Sequence, residues 1–135
     1  MTLPFLDTNV LLYAALQPDA RSDAARAVLA RGGVVSVQVL NEFAAVARRK
    51  LHRPWPEIRQ ALTAIRALCR PPLALTLGTH QAALGIAERH GFQLWDALVV
   101  ASALEAGCAT LLSEDLQDGQ VDEGCLTIRN PFARP

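Results

Sequence analysis

The chain has 135 residues, of which 51% are hydrophobic and only 5% aromatic. This length fits a single domain spanning 1–135 with a core of Ala, Leu and Val, and the composition excludes a disordered chain. Thirteen basic and thirteen acidic side chains cancel, so bulk charge neither predicts nor excludes a nucleic-acid partner. The sequence shows no signal peptide, no membrane-spanning apolar run and no disulfide or zinc pattern among its three cysteines, so we expect a cytoplasmic protein without a membrane contact.

Short apolar strands alternate with helices along the sequence. In chain order the pattern predicts a strand over 3–6, helices over 9–15 and 18–31, a strand over 34–37, helices over 38–50 and 57–68, a weak strand over 73–75, helices over 79–89 and 95–106, and strands over 109–112 and 126–128. This alternation is typical of an α/β fold in which helices cover both faces of a mostly parallel sheet.

Two of the helices carry specific expectations. The helix over 9–15 begins behind Thr8, whose hydroxyl is the expected N-cap. The helix over 95–106 is apolar nearly all round, so we expect it to be central and buried, with Trp95 in the core and Gly107 just past its end.

Four acidic residues stand where a parallel sheet would bring them together. Asp7 and Asp115 follow predicted strands, and Glu42 and Asp96 lie in the first turn or two of the helices that follow. If the crossovers are regular, all four reach the carboxyl edge of the sheet, where ligands bind in such folds. A buried carboxylate without a partner is costly, and the nearby sequence offers no matching lysine or arginine. The pattern therefore favours a bound metal ion.

Each acid also has a purely local explanation. Asp7 is suited to cap the helix that follows it, and Glu42 to a solvated helix face. Asp96 is favoured by the dipole of its own helix, and Asp115 lies in a polar turn where acids are common. The case for a metal site depends on all four acids meeting.

Four segments of the sequence carry a resemblance to a known family. They are LDTNVLLYA, VSVQVLNEFAAVARRK, WDALVVASALEAG and LLSEDLQDGQ, the last followed by RNPF. In this order and at these spacings, over almost the whole chain, they resemble the PIN-domain ribonucleases and above all the VapC-type toxins of bacterial toxin–antitoxin pairs. The resemblance implies a PIN-like three-layer sandwich, a homodimer, an RNA substrate and a cognate antitoxin protein that inhibits the toxin.

The resemblance also implies a set of site residues. The family's acidic quartet, which holds Mg²⁺ or Mn²⁺ in front of an RNA phosphodiester, corresponds to Asp7, Glu42, Asp96 and Asp115. Its small polar supporting positions correspond to Thr8, Asn9 and Ser113. Glu114, Asp115 and Asp118 are all candidates for the fourth acid; Asp115 fits the motif best, and Asp118 is a candidate additional metal ligand.

The residue types suit metal-dependent hydrolysis. Mg²⁺ prefers oxygen ligands, and a metal ion activates water and neutralises charge on a reacting phosphate. His52, His80 and His90 lie in unrelated contexts, which disfavours a metal-free attack by the 2′-hydroxyl through paired histidines. Three alternatives remain: a phosphatase, which would want a second acid in place of Asn9, a DNA nuclease with the same acidic site, and a catalytically silent PIN module that binds RNA or protein.

Two surfaces are candidates for binding partners. The basic cluster of Arg48, Arg49, Lys50 and Arg53 either stabilises the end of its helix or contacts RNA phosphates. Trp55, between two prolines, is expected to be exposed as an interface anchor. For Trp95, packing in the core is favoured over the alternative of a base-stacking platform. The resemblance implies that an antitoxin segment fills a partly uncovered groove in this region, for which the candidate residues are Leu51, Trp55, Ile58, Leu62 and Ile65.

Overall fold

The computed structural model describes residues 2–132, except for the side chains of residues 121 and 122, so residues 1 and 133–135 of the predicted domain lie outside the described residues. Helices and short strands follow one another in the order β1 (Phe5–Leu6), α1 (Thr8–Ala15), α2 (Ser22–Ala30), α3 (Val37–Arg49), α4 (Trp55–Leu68), α5 (Leu77–His90), α6 (Leu94–Glu105), β2 (Thr110–Leu112), β3 (Val121–Asp122) and β4 (Leu126–Arg129). The helices α1 to α4 pack on one another, and α5 packs on α6. The predicted α/β sandwich is confirmed.

The sheet has the strand order β1-β2-β4-β3, in which β1, β2 and β4 are parallel and β3 is antiparallel to β4. The short strand β3 was not predicted. The predicted strands over 34–37 and 73–75 are reduced to single bridges, Phe5 to Val34 and Ser36 to Leu73. The first ends early because the Ser36 hydroxyl accepts a hydrogen bond from the Val39 amide at 3.2 Å, which starts α3 at residue 37.

The central helix α6 is buried as predicted from Ala97 to Ala103, and Gly107 follows its end with a φ of 72°. The expectation for Trp95 is wrong: its side chain is 57% exposed. It lies in the first turn of α6, before the stretch that packs in the core. A helix that is apolar on every side has no stripe to show which residues face outward.

The start of α1 decides between its two expected caps, Asp7 and Thr8. Asp7, not Thr8, is the N-cap, because the Asp7 carboxylate accepts a hydrogen bond from the Thr8 amide at 2.8 Å. Thr8 is the first helical residue, and its hydroxyl is therefore available to another element.

None of the helices within residues 2–132 combines the length and the apolar character that crossing a bilayer requires.

Candidate functional site

The register of the sheet brings Asp7 and Ser113 together. Leu6 of β1 pairs with Leu112 of β2 in parallel, so the next residue of each strand leaves the sheet at the same carboxyl edge. The Ser113 hydroxyl donates to Asp7 Oδ2 at 2.7 Å, and the Thr8 amide donates to Asp7 Oδ1 at 2.8 Å. Both carboxylate oxygens thus have partners, although Asp7 is only 5% exposed.

Asn9 links the first turn of α1 to the loop after β2. Its side-chain Nδ2 donates to Asp115 Oδ2 at 3.1 Å, and its Oδ1 accepts from the Glu114 amide at 3.1 Å. The Asp115 amide in turn donates to the Ser113 hydroxyl at 3.2 Å. Asn9 and Ser113 therefore hold the Asp115 carboxylate close to Asp7.

Glu42 joins the same group through Thr8. The Thr8 hydroxyl donates to Glu42 Oε2 at 3.0 Å, and Gln38, one turn earlier on α3, approaches Glu42 Oε1 at 3.4 Å. The hydrogen bond between Thr8 and Glu42 thus links α1 to α3 through polar side chains. Gln38 was not predicted as a site residue, although its i, i+4 spacing from Glu42 was a usable signal.

Asp96 in the first turn of α6 completes the group. Asp96 and Asp115 line one cavity of about 440 Å³, and Glu42 and Asp115 line a second cavity of about 310 Å³. The Asp96 carboxylate is half-buried and makes no hydrogen bond or ion pair with another residue in the described range 2–132. The structure thus brings all four predicted acids into one neighbourhood, with Asp115 common to both cavities.

The acids influence one another electrostatically. Burial raises the pKa of Asp7 to about 6; the hydrogen bonds from Ser113 and Thr8 oppose this rise, and the charges of Glu42 and Asp115 add to it. Burial likewise raises the pKa of Asp96, with further contributions from Asp115 and Glu42. Within residues 2–132 none of the four acids forms an ion pair with lysine or arginine. The site therefore concentrates uncompensated negative charge.

The two other candidates for the fourth acid have different surroundings. Glu114 forms an ion pair with Arg21. The exposed Asp118 accepts a hydrogen bond from the Asn130 amide at 2.8 Å, and the charges that raise the pKa of Asp7 and Asp96 most are those of Glu42 and of acids other than Asp118. The role of Asp118 as a metal ligand stays a prediction.

Arg21 was missed by sequence reasoning. Its guanidinium holds both oxygens of Asp19, at 2.7 Å and 2.9 Å, while pairing with Glu114 and lying 4.2 Å from the centre of the Tyr13 ring. The contact with Glu114 spans 93 residues of sequence, and no local pattern reveals such a pair. The ion pair with Arg21 holds the Glu114 carboxylate near the start of α2, so Asp115 is the acid whose carboxylate contacts the Asn9 side chain.

The predicted basic cluster divides into two pairs. Arg53 donates to the Leu16 carbonyl at 2.6 Å, and Arg48 donates to the Arg53 carbonyl at 3.1 Å and lies over the Trp55 ring. Arg49 and Lys50 make no ion pair within residues 2–132, and each lines a cavity that Glu42 also lines. Only this second pair faces the acidic site.

An apolar groove of about 650 Å³ lies where α4 meets α2 and the end of α1. From α4, the side chains of Ala61, Ala64 and Leu68 line it. The predicted groove residues are largely different: only Ile65 lines this groove, and Ile58 and Ile65 are almost fully buried because they form the inward stripe of α4. Trp55 is exposed as expected, at 49%, but lies outside the groove.

The donor set of the acidic group fits a hard divalent cation, because four carboxylates supply only oxygen ligands and carry unbalanced negative charge. Within residues 2–132, no three His, Cys, Asp or Glu side chains are spaced closely enough to hold a metal ion as they stand. Binding one ion through all four acids would need side-chain rotation, and the half-buried Asp96 and the exposed Asp115 are the least constrained by packing.

Replacement of Asp7 by asparagine should stabilise the fold in a pH-dependent way. Because the folded state raises the Asp7 pKa from 3.8 to about 6, folded protein binds the proton more tightly than unfolded protein. The free energy of unfolding should therefore fall as pH rises from about 4 to about 6, and then level off. Asp7→Asn removes this cost, so in EDTA at pH 8 it should add roughly 1–3 kcal/mol, and much less at pH 4.5.

Urea unfolding at both pH values measures this effect. The exposed Asp23→Asn on α2 is the control and should change stability little at either pH. A stability change for Asp7→Asn that is equal at pH 8 and pH 4.5 would show that Asp7 carries no such cost.

Comparisons with known proteins agree with this fold. A family model of the PIN domain matches residues 5–123, and no curated protein gives a significant match. Similar solved structures include Mycobacterium tuberculosis VapC20, a sarcin-ricin loop cleaving toxin, at 22% identity over 82% of this chain and 90% of that one, with a TM-score of 0.67.

Two other solved structures are also similar to this chain. A toxin–antitoxin complex from Klebsiella pneumoniae matches at 16% identity over 96% of this chain and 98% of that one, with a TM-score of 0.72. VapBC2 from Rickettsia felis, bound to a DNA fragment from its promoter, matches at 17% identity over 93% and 96%, with a TM-score of 0.63. At these identities the likeness establishes the fold, and the match to the family model establishes the family. The chain belongs to the PIN domain family.

Proposed function

We propose that this protein is a divalent-metal-dependent endoribonuclease and the toxin of a toxin–antitoxin pair. The observation that carries the proposal is the meeting of Asp7, Glu42, Asp96 and Asp115 at one sheet edge, with no ion-pair partner among residues 2–132. Membership of the PIN family supports nuclease chemistry. The likeness to VapC20 and to two toxin–antitoxin assemblies supports the toxin role.

Different residues would hold the metal ion and fix the orientation of the acids that hold it. Mg²⁺ or Mn²⁺ held by Asp7, Glu42, Asp96 and Asp115 would neutralise charge at the scissile phosphate and lower the pKa of the attacking water. Ser113 and Thr8 fix the orientation of Asp7, and Asn9 fixes that of Asp115.

We assign the proton transfer to Asp96. Its carboxylate has no hydrogen-bond partner in the described part of the chain, so one oxygen would hold the ion and the other would accept the proton of the attacking water. As the water oxygen bonds to phosphorus, the bond from phosphorus to the ribose oxygen of the leaving strand breaks, and that oxygen takes up a proton from solvent. Because the 2′-hydroxyl takes no part, no 2′,3′-cyclic phosphate should form.

The partner of the toxin is proposed to be an antitoxin segment that binds the apolar groove beside α4. The groove is lined by Ala14, Ala15, Leu16, Arg26, Leu29, Ala30, Glu57, Gln60, Ala61, Ala64, Ile65 and Leu68. Its small and aliphatic side chains suit the apolar face of a helix from another protein. We also propose a homodimer, which the resemblance to VapC-type toxins implies.

Cleavage of single-stranded RNA by the purified protein should require Mg²⁺ or Mn²⁺ and stop in EDTA. Asp7→Asn and Asp115→Asn should each lower the rate by about 100-fold or more, because each removes a charge that holds the ion. Asp23→Asn, on the exposed face of α2, should cleave like the unaltered protein. Gel analysis of end-labelled RNA gives both the rates and the chemistry of the ends.

Other outcomes would point elsewhere. Cleavage that continues in excess EDTA, or that leaves 2′,3′-cyclic ends, would contradict the metal-dependent mechanism. Equal cleavage of DNA would favour the DNA nuclease, and RNA binding without cleavage would favour the silent module.

The groove can be tested by a pair of matched substitutions. Leu68 and Leu84 are 48% and 49% exposed, but only Leu68 lines the groove. If the toxin arrests growth when expressed, Leu68→Asp should stop its co-expressed antitoxin from relieving that arrest, because the charge would be buried against an apolar segment. Leu84→Asp should be relieved normally. Equal relief of both variants would place the antitoxin contact outside the groove.

A further inference from the structure

Trp95 is an exposed aromatic side chain directly beside the acidic site. It precedes Asp96 in the first turn of α6 and is 57% exposed. Within residues 2–132 its ring makes no aromatic or cation–π contact. The other tryptophan differs, because Arg48 lies over the Trp55 ring at 5.2 Å. Trp95 thus offers an uncovered aromatic surface next to a carboxylate of the proposed catalytic group.

A cavity of about 400 Å³ opens against this side chain. It is lined by Gln38, Asn41, Glu42, Ala45, Arg49 and Trp95. Glu42 also lines the cavity that contains Asp115, so the two cavities meet at one member of the acidic group. Four of its six lining residues are polar or charged, while Ala45 and the Trp95 ring supply apolar surface, which suits a ligand with flat apolar faces and a hydrogen-bonding edge.

We propose that this cavity is a nucleobase subsite, in which Trp95 stacks on the base of a nucleotide that flanks the scissile phosphate. The proposal rests on the RNA cleavage proposed above and adds the residue that holds the neighbouring base. Stacking on an aromatic ring tolerates every base and strengthens binding substantially. Asn41, which makes no side-chain hydrogen bond within residues 2–132, supplies a donor and an acceptor for the base edge.

Charge in the cavity favours RNA over a protein partner. Arg49 makes no ion pair in the described residues and is free to contact a phosphate. A protein interface centred on Trp95 would have to bury Glu42, whereas glutamate is depleted in such interfaces. A bound nucleotide would instead make use of both charges, because Glu42 would lie toward the proposed metal site and Arg49 toward the RNA phosphates.

Tryptophan fluorescence tests the stacking without requiring cleavage. The chain has two tryptophans, so Trp55→Phe makes Trp95 the only one, and Asp7→Asn in the same protein prevents cleavage. A single-stranded RNA octamer should quench this fluorescence saturably, and an abasic octamer with the same backbone should not. Quenching by neither octamer, or equally by both, would overturn the proposal.

Cleavage kinetics give the second measurement. Trp95→Ala should lower kcat/KM for RNA by about 5-fold to 100-fold, Trp95→Phe should recover most of the loss, and the exposed Leu77→Ala on α5 should behave like the unaltered protein. Because Trp95 is at the surface, all three variants should keep the melting temperature. A Trp95→Ala variant that cleaves normally would overturn the subsite.

The two proposals fail in different ways. A protein that cleaves no RNA would contradict the proposed function, and the fluorescence experiment would still decide the stacking. A protein that cleaves RNA with normal Trp95→Ala kinetics would contradict the subsite alone. A loss of activity explained by dissociation of a dimer would show that Trp95 contacts protein, and would also overturn the subsite.

Discussion

The buried carboxylate of Asp7 constrains the whole carboxyl edge of the sheet. Burial raises its pKa to about 6, and only two hydrogen bonds, from Ser113 and the Thr8 amide, oppose that cost. One donor belongs to the neighbouring strand end and the other to the first turn of α1. The Asp7 charge is therefore tolerated only while β1 keeps its parallel register with β2, which places Ser113, and while α1 begins at Thr8, which places the amide.

The surrounding hydrogen bonds and the Arg21 ion pair also determine how the other acids are oriented. Asn9 and Ser113 direct Asp115 toward Asp7, while Arg21 holds the adjacent Glu114 on the other side of the loop. Thr8, released from capping, donates to Glu42. Neutral donors thus fix the orientations of three of the four acids without cancelling their charge. That arrangement lowers stability in the absence of a cation, and the divalent cation proposed above would offset this cost by binding the folded state.

Sequence reasoning located the four acids because strand ends and helix starts are local signals, and parallel topology then brings them to one edge. It offered both Asp7 and Thr8 as the cap of α1, since both are good N-cap residues and only the helix start distinguishes them. It placed Trp95 in the core because a helix that is apolar on all sides has no directional pattern. It missed Arg21 because its partner Glu114 is 93 residues away, and chain folding alone creates that contact.

The central claim is that the four acids form one divalent-metal site. Isothermal titration of Mn²⁺ into the purified protein at pH 8 tests it most directly, without any substrate. We expect saturable binding that Asp7→Asn and Asp96→Asn each weaken about 10-fold or more, and that Asp23→Asn leaves unchanged. If Mn²⁺ does not bind saturably, or binds the Asp7 and Asp96 variants as tightly as the unaltered protein, then the four acids are not a metal site.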